Sequence, residues 1–190
     1  MRIVARCLAA CLAVLPFSAA GAAATWTLED GSAIRFTAYQ EGAPVEGSFG
    51  SFTAEIVFDP DDLAASRVAA RIDAASITTG HKDRDTALRS ASFLDVKSWP
   101  SATFEGDRLV HEGGDRYEAQ GRLTIRDVTR DMVLPFRLTI EQAAGRQVAR
   151  ATGELTISRL DYGVGQGEWA STKTVGDDVV IDIEIVASAP

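Results

Sequence analysis

Cysteine is confined to Cys7 and Cys11, so no thiol occurs beyond the first eleven residues. The body of the chain therefore has no disulfide, no thiol nucleophile and no thiolate metal ligand. Histidine is almost as scarce: His81 and His111 stand alone, with no Gly-x-Ser-x-Gly elbow and no phosphate-cradling glycine loop in the sequence. His81 with Asp83 and Asp85 is a poor zinc set, one imidazole among carboxylates on a single loop. No metal and no cofactor are expected. Past the N-terminus no run approaches the ~20 apolar residues of a membrane span. Basic residues are outnumbered, 19 against 27 acidic, for a net charge of −8; a nucleic-acid backbone would be repelled. A hydrolase built on paired carboxylates stays open on composition alone, because so many acids allow some pair to meet in space. No motif points to one, and no catalytic residue is assigned.

The N-terminus has its own character. Arg2 and Arg6 precede an apolar core from Cys7 to Phe17, broken only by Pro16, and Ala22-Ala23-Ala24 has the small-residue form of a cleavage site. Residues 1–24 are read as a signal peptide cleaved before Thr25, which sends the protein to the periplasm. Leu8-Ala9-Ala10-Cys11 has the local form of a lipobox, but only four residues separate Arg6 from Cys11, too few for an apolar core. Loss of the leader removes both cysteines and two arginines, leaving 17 basic against 27 acidic residues, a net charge of −10. Residues 25–190 show no repeat and no linker, and their length suits one domain.

What remains alternates. Ile34, Phe36 and Ala38 share one face of a strand; Val45 to Phe58 is too long for one strand, and Gly47 and Gly50 mark a bend within it. Arg67 to Ala74 alternates again. Glu112-Gly113-Gly114-Asp115 is a hairpin turn between Ala102–Val110 and Arg116–Arg126. Asp127 to Asp131 reads as the next turn, Met132–Ile140 and Gln147–Ser158 pair around residues 143–146, and Val179–Ala187 closes the chain. The expected fold is all-β: an antiparallel barrel of about eight strands, with Ala70, Ala119 and Gly121 leaving room inside. One long non-strand connection, Ser76 to Phe104, interrupts it. A charged collar from His81 to Asp85, then Ala87, Leu88, Phe93, Leu94, Val96 and Trp99, suits a short helical lid over residues 81–99.

Seven stretches in order resemble the YceI-like family of exported lipid-binding proteins. They are Gly47-Ser-Phe-Gly-Ser-Phe, Ile56-Val-Phe-Asp-Pro, Ala75-Ser-Ile-Thr-Thr-Gly, Arg84-Asp-Thr-Ala-Leu-Arg-Ser, Phe93-Leu-Asp-Val with Pro100-Ser-Ala-Thr-Phe, Gly121-Arg-Leu-Thr-Ile with Val128-Thr, and Ser158-Arg-Leu-Asp-Tyr-Gly-Val-Gly. The resemblance implies an extended lipocalin-like barrel that holds a polyisoprenoid chain, such as a prenyl quinone-type lipid, without catalysis. The chain departs from the family where Tyr39-Gln40 replaces a frequent histidine and where Asp127 and Asp131 replace a glycine and a proline.

Candidate ligand-binding residues are the inward or lid positions Phe36, Tyr39, Phe49, Leu88, Phe93, Trp99, Phe104, Tyr117, Phe136 and Trp169. Each also has an ordinary reading as core, since any β fold buries its aromatics. Arg84, Asp85 and Arg159, with Asp161, are expected to pair at the mouth or to meet a polar headgroup. The expected partner is an apolar lipid; a second copy of the chain is a further candidate. The competing reading is a structural or stress-response barrel whose interior is simply filled, and cavity volume separates the two.

Overall fold

The computed structural model describes residues 23–143 and 145–190. The expected leader therefore lies almost wholly outside the described residues. No described helix is long and apolar enough to cross a membrane. The described chain forms β1 (Ala24–Leu28), β2 (Ala33–Gln40), β3 (Ala43–Phe49), β4 (Phe52–Phe58), β5 (Arg67–Asp73), β6 (Ile77–Thr78), α1 (Lys82–Arg89), β7 (Ser101–Gly113), β8 (Arg116–Ile125), β9 (Val128–Ala143), β10 (Arg146–Ser158) and β11 (Asp178–Ala189). Neighbouring strands are antiparallel, and β1, β4, β5, β7, β8, β9, β10 and β11 close into a ring of eight through the β1–β11 ladder. This is the expected antiparallel barrel.

Three places in the wall are each shared by two short strands stacked end to end. Along β11, Leu28 of β1 faces Ala187 while β2 takes Val180 to Glu184. β3 then pairs β2, and β6 pairs β3, above the β4–β5 pair. The jog between β1 and β2 is fixed by Ser32, whose hydroxyl donates to Glu29 and Val186 carbonyls and accepts from the Val186 amide.

Two glycines do different work from the one their positions suggested. The bend expected in Val45–Phe58 falls at Gly50-Ser51, between β3 and β4. Gly47 is no bend; the Phe36 ring lies directly on it, where a Cβ would collide. Nor does Gly121 leave room inside the barrel. A Cβ there would strike the backbone of Glu105 and Gly106, beside a bulge in β7 between Gly106 and Arg108, so this glycine lets two strands approach each other.

Two boundaries also differ from the sequence reading. The β8–β9 turn is only Arg126-Asp127, with Arg126 at φ 57°, and residues 128–131 belong to the strand. The lid is not the sole long connection. A second, from Arg159 to Asp177, joins β10 to β11 and carries single 3-10 turns at Leu160–Tyr162 and Gly167–Ala170.

One end of the barrel is solid. Trp26, Phe58, Leu109, Ala149, Ala187 and Ala189 are buried together, with Tyr117 and Phe136 packed on them, and Trp26 Nε1 donates to the Phe58 carbonyl at 3.1 Å. Small alanines on β10 and β11 make room for the large rings at this end. The other end opens toward α1 and the Arg159–Asp177 segment. Gly121→Ala is expected to lower stability by about 2 kcal/mol or more, because the added methyl meets backbone rather than a side chain that can turn aside. Urea melts measure it, and an unchanged midpoint would contradict the close β7–β8 approach.

Candidate ligand-binding cavity

Above the aromatic plug the barrel is hollow, with a cavity of about 240 Å³. Its wall takes inward side chains from nearly every strand: Phe36, Phe49, Ala70, Phe104, Leu134 and Ile183 are examples. Among the described residues, Arg159 and Tyr162 are the only ones lining it with polar side chains. An apolar cavity of ~150 Å³ already stays dry and takes up benzene, so the lining of this one suits hydrocarbon better than water. A side chamber of about 310 Å³ adjoins it between the β2–β3 hairpin, α1 and residues 169–175. The two share Phe36, Ala38, Leu88, Phe93 and Val175. Tyr39, Gln40, Arg84 and Trp169 line the chamber but not the main cavity.

The first cover over the cavity is the α1 segment. Its helix has Asp83 and Asp85 in the first turn and Arg89 in the last, which suits the helix dipole. Asp85 is buried and accepts from Thr78 Oγ1 at 3.1 Å, and from the Thr79 amide and hydroxyl at 2.7 Å each. The Thr79 hydroxyl bond, foremost, with the other two and the nearby Arg89 charge, outweighs burial and holds its carboxyl below the ordinary aspartate range. Arg89 donates to the Ala75 and Ile77 carbonyls, so both ends of the helix are tied to the chain that leads into it. Leu88, Phe93 and Leu94 then project into the cavity.

The second cover, residues 159–177, is organised by Arg159. This guanidinium is buried, and its donors reach five carbonyls: Gly176 at 2.8 Å, Val164 at 2.8 Å, Gly165 at 3.2 Å, Trp169 at 2.8 Å and Val175 at 2.8 Å. Burial pushes its pKa down, opposed by the neighbouring Asp177 charge, which itself is engaged with Ser158 Oγ and the Leu160 amide. The covers are joined. Gly165 and Gln166 amides both donate to the Ser92 carbonyl, and Phe93 packs on Trp169 with centroids 5.5 Å apart. Arg126 lies across both, donating to the Phe93 and Gly163 carbonyls beneath the Trp99 ring.

The candidate residues divide accordingly. Phe36, Phe49, Leu88, Phe93 and Phe104 line the main cavity, while Tyr39, Arg84 and Trp169 meet at the side chamber with Phe36, Leu88 and Phe93. Trp99 does not line either; it stacks on Arg126, 4.5 Å from ring centroid to guanidinium carbon. Tyr117 and Phe136 do not line either as well. They stack on one another at 5.7 Å in the aromatic end, with Phe58 against Tyr117. The expected charge cluster at the mouth is absent among the described residues. Asp85 is held by threonines, Arg159 by carbonyls, and Asp161 pairs with Arg130 at 3.4 Å. Arg84 and Asp85 lie on α1 while Arg159 and Asp161 lie on the β10–β11 connection, and Asp85 and Arg159 each find partners on or near their own segment, which the order of charges in sequence does not reveal. Arg126, Arg130 and Tyr162 are not among the candidate site residues; Tyr162 stands within the Ser158–Gly165 family-like stretch, but the partners of all three lie far away in sequence.

Fold and site together define a class, the lidded antiparallel β-barrels that enclose one apolar cavity. Within it, this chain belongs to the YceI-like domain family, whose model matches residues 26–187. A UPF0312 protein of Vibrio cholerae is 29% identical over 143 residues, covering 74% of this chain and 71% of its own length. A UPF0312 protein of Yersinia pestis is 41% identical over 93 residues, 49% of this chain and 48% of its own. Among solved structures, BcnA of Burkholderia cenocepacia is similar with a TM-score of 0.74 at 32% identity, covering 82% of this chain and 95% of its own. A polyisoprenoid binding domain from Saccharophagus degradans, implicated in plant cell wall breakdown, gives a TM-score of 0.66 at 15% identity over 88% of this chain and 99% of its own, a likeness of fold alone.

Two outcomes follow from these contacts. Arg159→Lys is expected to destabilise by about 3–5 kcal/mol, because one ammonium cannot serve five carbonyls and the rest are left buried without donors; a chemical melt within error of the parent would contradict the staple. Asp85 sets a pH response. Its folded pKa is depressed, so its contribution is complete above the unfolded value of 3.8 and is lost as pH falls through the folded one. Amide protection factors across residues 79–90, each taken against the intrinsic exchange rate at that pH, should fall on acidification through that range in the parent, and in Asp85→Asn they should already be low at neutral pH.

Proposed function

We propose that the protein binds one long apolar molecule of the polyisoprenoid class inside the barrel and performs no chemistry on it. The observation that carries this is a preformed hollow whose polar side chains are already engaged or withdrawn: Arg159 gives its donors to carbonyls, and the Tyr162 hydroxyl is buried. Such a site offers shape and dryness. At about 0.8 kcal/mol per buried CH2, one or two isoprene units supply useful affinity with no hydrogen bond at all. The main cavity and side chamber together reach the ~300–1,000 Å³ usual for ligand sites. The polyisoprenoid binding domain of the same fold supports the ligand class.

The headgroup is assigned to the side chamber. Arg84 has no ion-pair partner among the described residues, and Tyr39 and Gln40 share its rim. A prenyl quinone or another oxygen-bearing head would place its polar atoms there, with the chain running inward past Phe93. The expected leader at residues 1–24 makes this an exported carrier, acting in the periplasm.

Native mass spectrometry of protein purified without detergent, paired with organic extraction, tests the reading. A prenyl chain at near-unit stoichiometry is the expected result, whereas an unliganded mass that added prenyl quinones leave unchanged would favour a barrel with a structural role. Ala38→Phe sharpens the test by placing a ring where the two chambers join. Ligand should be lost while the melting temperature holds or rises, since the ring fills apolar space; a variant that keeps its lipid would place the chain elsewhere.

A further inference from the structure

The barrel wall is not complete. The β9–β10 ladder runs from Arg146 opposite Ala143 to Gly153 opposite Phe136 and stops there. Both strands continue: β9 stays paired to β8 as far as Val128, and β10 to β11 as far as Ser158. Residues 128–135 and 154–158 thus face each other across a notch with no strand pairing between them among the described residues. Pro135, which has no amide hydrogen to give, sits at the fork. Gly153 is pressed on the Pro135 carbonyl, where a Cβ would come within 2.8 Å.

This notch leads to the ligand cavity. It forms an outer hollow of about 540 Å³, and three of its residues, Met132, Ile157 and Tyr162, line the inner cavity too. Those side chains stand between the inner cavity and the outer hollow at this point. Met132 is flexible. Tyr162 is carried by a single 3-10 turn that ends on Gly163 in the left-handed region, and its buried hydroxyl has no protein hydrogen-bond partner among the described residues. What bridges the notch is Arg130, which reaches the Asp161 carbonyl at 3.1 Å and its carboxylate at 3.4 Å across half-exposed side chains. A pair so exposed to water holds weakly. The two large apolar side chains exposed among the described residues are Tyr39, at the side chamber, and Val133, beside this notch.

We propose that the β9–β10 notch is a second, lateral portal into the cavity: Tyr162 is its door, the Arg130–Asp161 pair its latch, and an apolar chain passes between the strands when the pair parts. The proposal rests on the binding reading above. In it the side chamber retains the headgroup while the hydrocarbon enters and leaves through the wall. Opening breaks no backbone ladder, because none is formed there, and it lets water reach the Tyr162 hydroxyl.

Exchange of cis-parinaric acid, a fluorescent polyene, tests this by stopped flow. The full chain with Cys7 and Cys11 changed to serine carries Val133→Cys and Thr156→Cys, which face each other three steps past the last ladder pair, joined by a short bifunctional maleimide. Bridging should slow association and dissociation together by about tenfold and leave the equilibrium affinity within about twofold, the mark of a gate rather than a contact. Arg130→Ala, an exposed substitution that spares the core, should speed both steps by about threefold. Rates indifferent to the bridge and to Arg130→Ala, but slowed when Tyr39→Cys and Ala87→Cys are bridged across the side chamber, would overturn the lateral portal and leave the binding reading intact. Absence of any parinaric acid or prenyl quinone uptake by the unmodified protein would overturn both.

Discussion

A single buried cation organises the functional end of this molecule. Among the described residues no carboxylate bonds to the Arg159 guanidinium; its charge is dispersed over five backbone carbonyls of the segment that follows it. A loop cannot cross an apolar cavity unless its polar groups are met. One planar guanidinium with five fixed donors meets many of them at once, which a lysine's three mobile donors could not. The residues so gathered include Trp169 and Val175, which line the side chamber, while Val164 closes the main cavity. The hollow exists because the cover over it is held from within the backbone.

The α1 cover obeys the same constraint by another device. Asp85 binds the Thr78-Thr79 corner, and Arg89 binds the carbonyls of Ala75 and Ile77, so the helix is fixed to the chain immediately before it. Here acid and base do not pair with one another. Each satisfies backbone or hydroxyl groups at a corner where the sheet has ended. Arg126 repeats the pattern from the opposite wall and links both covers through the carbonyls of Phe93 and Gly163. Charge at this end therefore reinforces loop geometry, and Arg84 stands apart as a guanidinium at the chamber with no ion-pair partner among the described residues.

Much of the barrel was legible in the chain. Period-two alternation in Ile34–Phe36–Ala38 and Tyr117–Ile125 gave the inward faces, and Glu112–Asp115 the hairpin. The lid was legible as a break in that alternation. Three things were hidden, each for a physical reason. Aromatics point inward along the whole barrel, so periodicity could not tell Phe104, beside the cavity, from Tyr117 in the plug; that depends on height, hence on register. The partners of Arg159 are main-chain carbonyls, which carry no side-chain signature. The small residues of β8 looked like space, yet Gly121 records the approach of another backbone.

Stability is consequently graded along the barrel axis. At the plugged end, rings fill the interior and the β10–β11 ladder continues to Ala189. At the covered end, β6 has two residues, β9 and β10 have parted at Pro135 and Gly153, and side-chain bonds replace strand pairing. Segments held by few ladders open at lower free energy than those inside them. The proposed binding of an apolar chain calls for this division, because a wall paired throughout would enclose its cavity with no route of entry, and a wall loose throughout would let water in. In this barrel the rigid half fixes the shape of the hollow, and the half held by Arg159, Asp85 and Arg130 is where it can change.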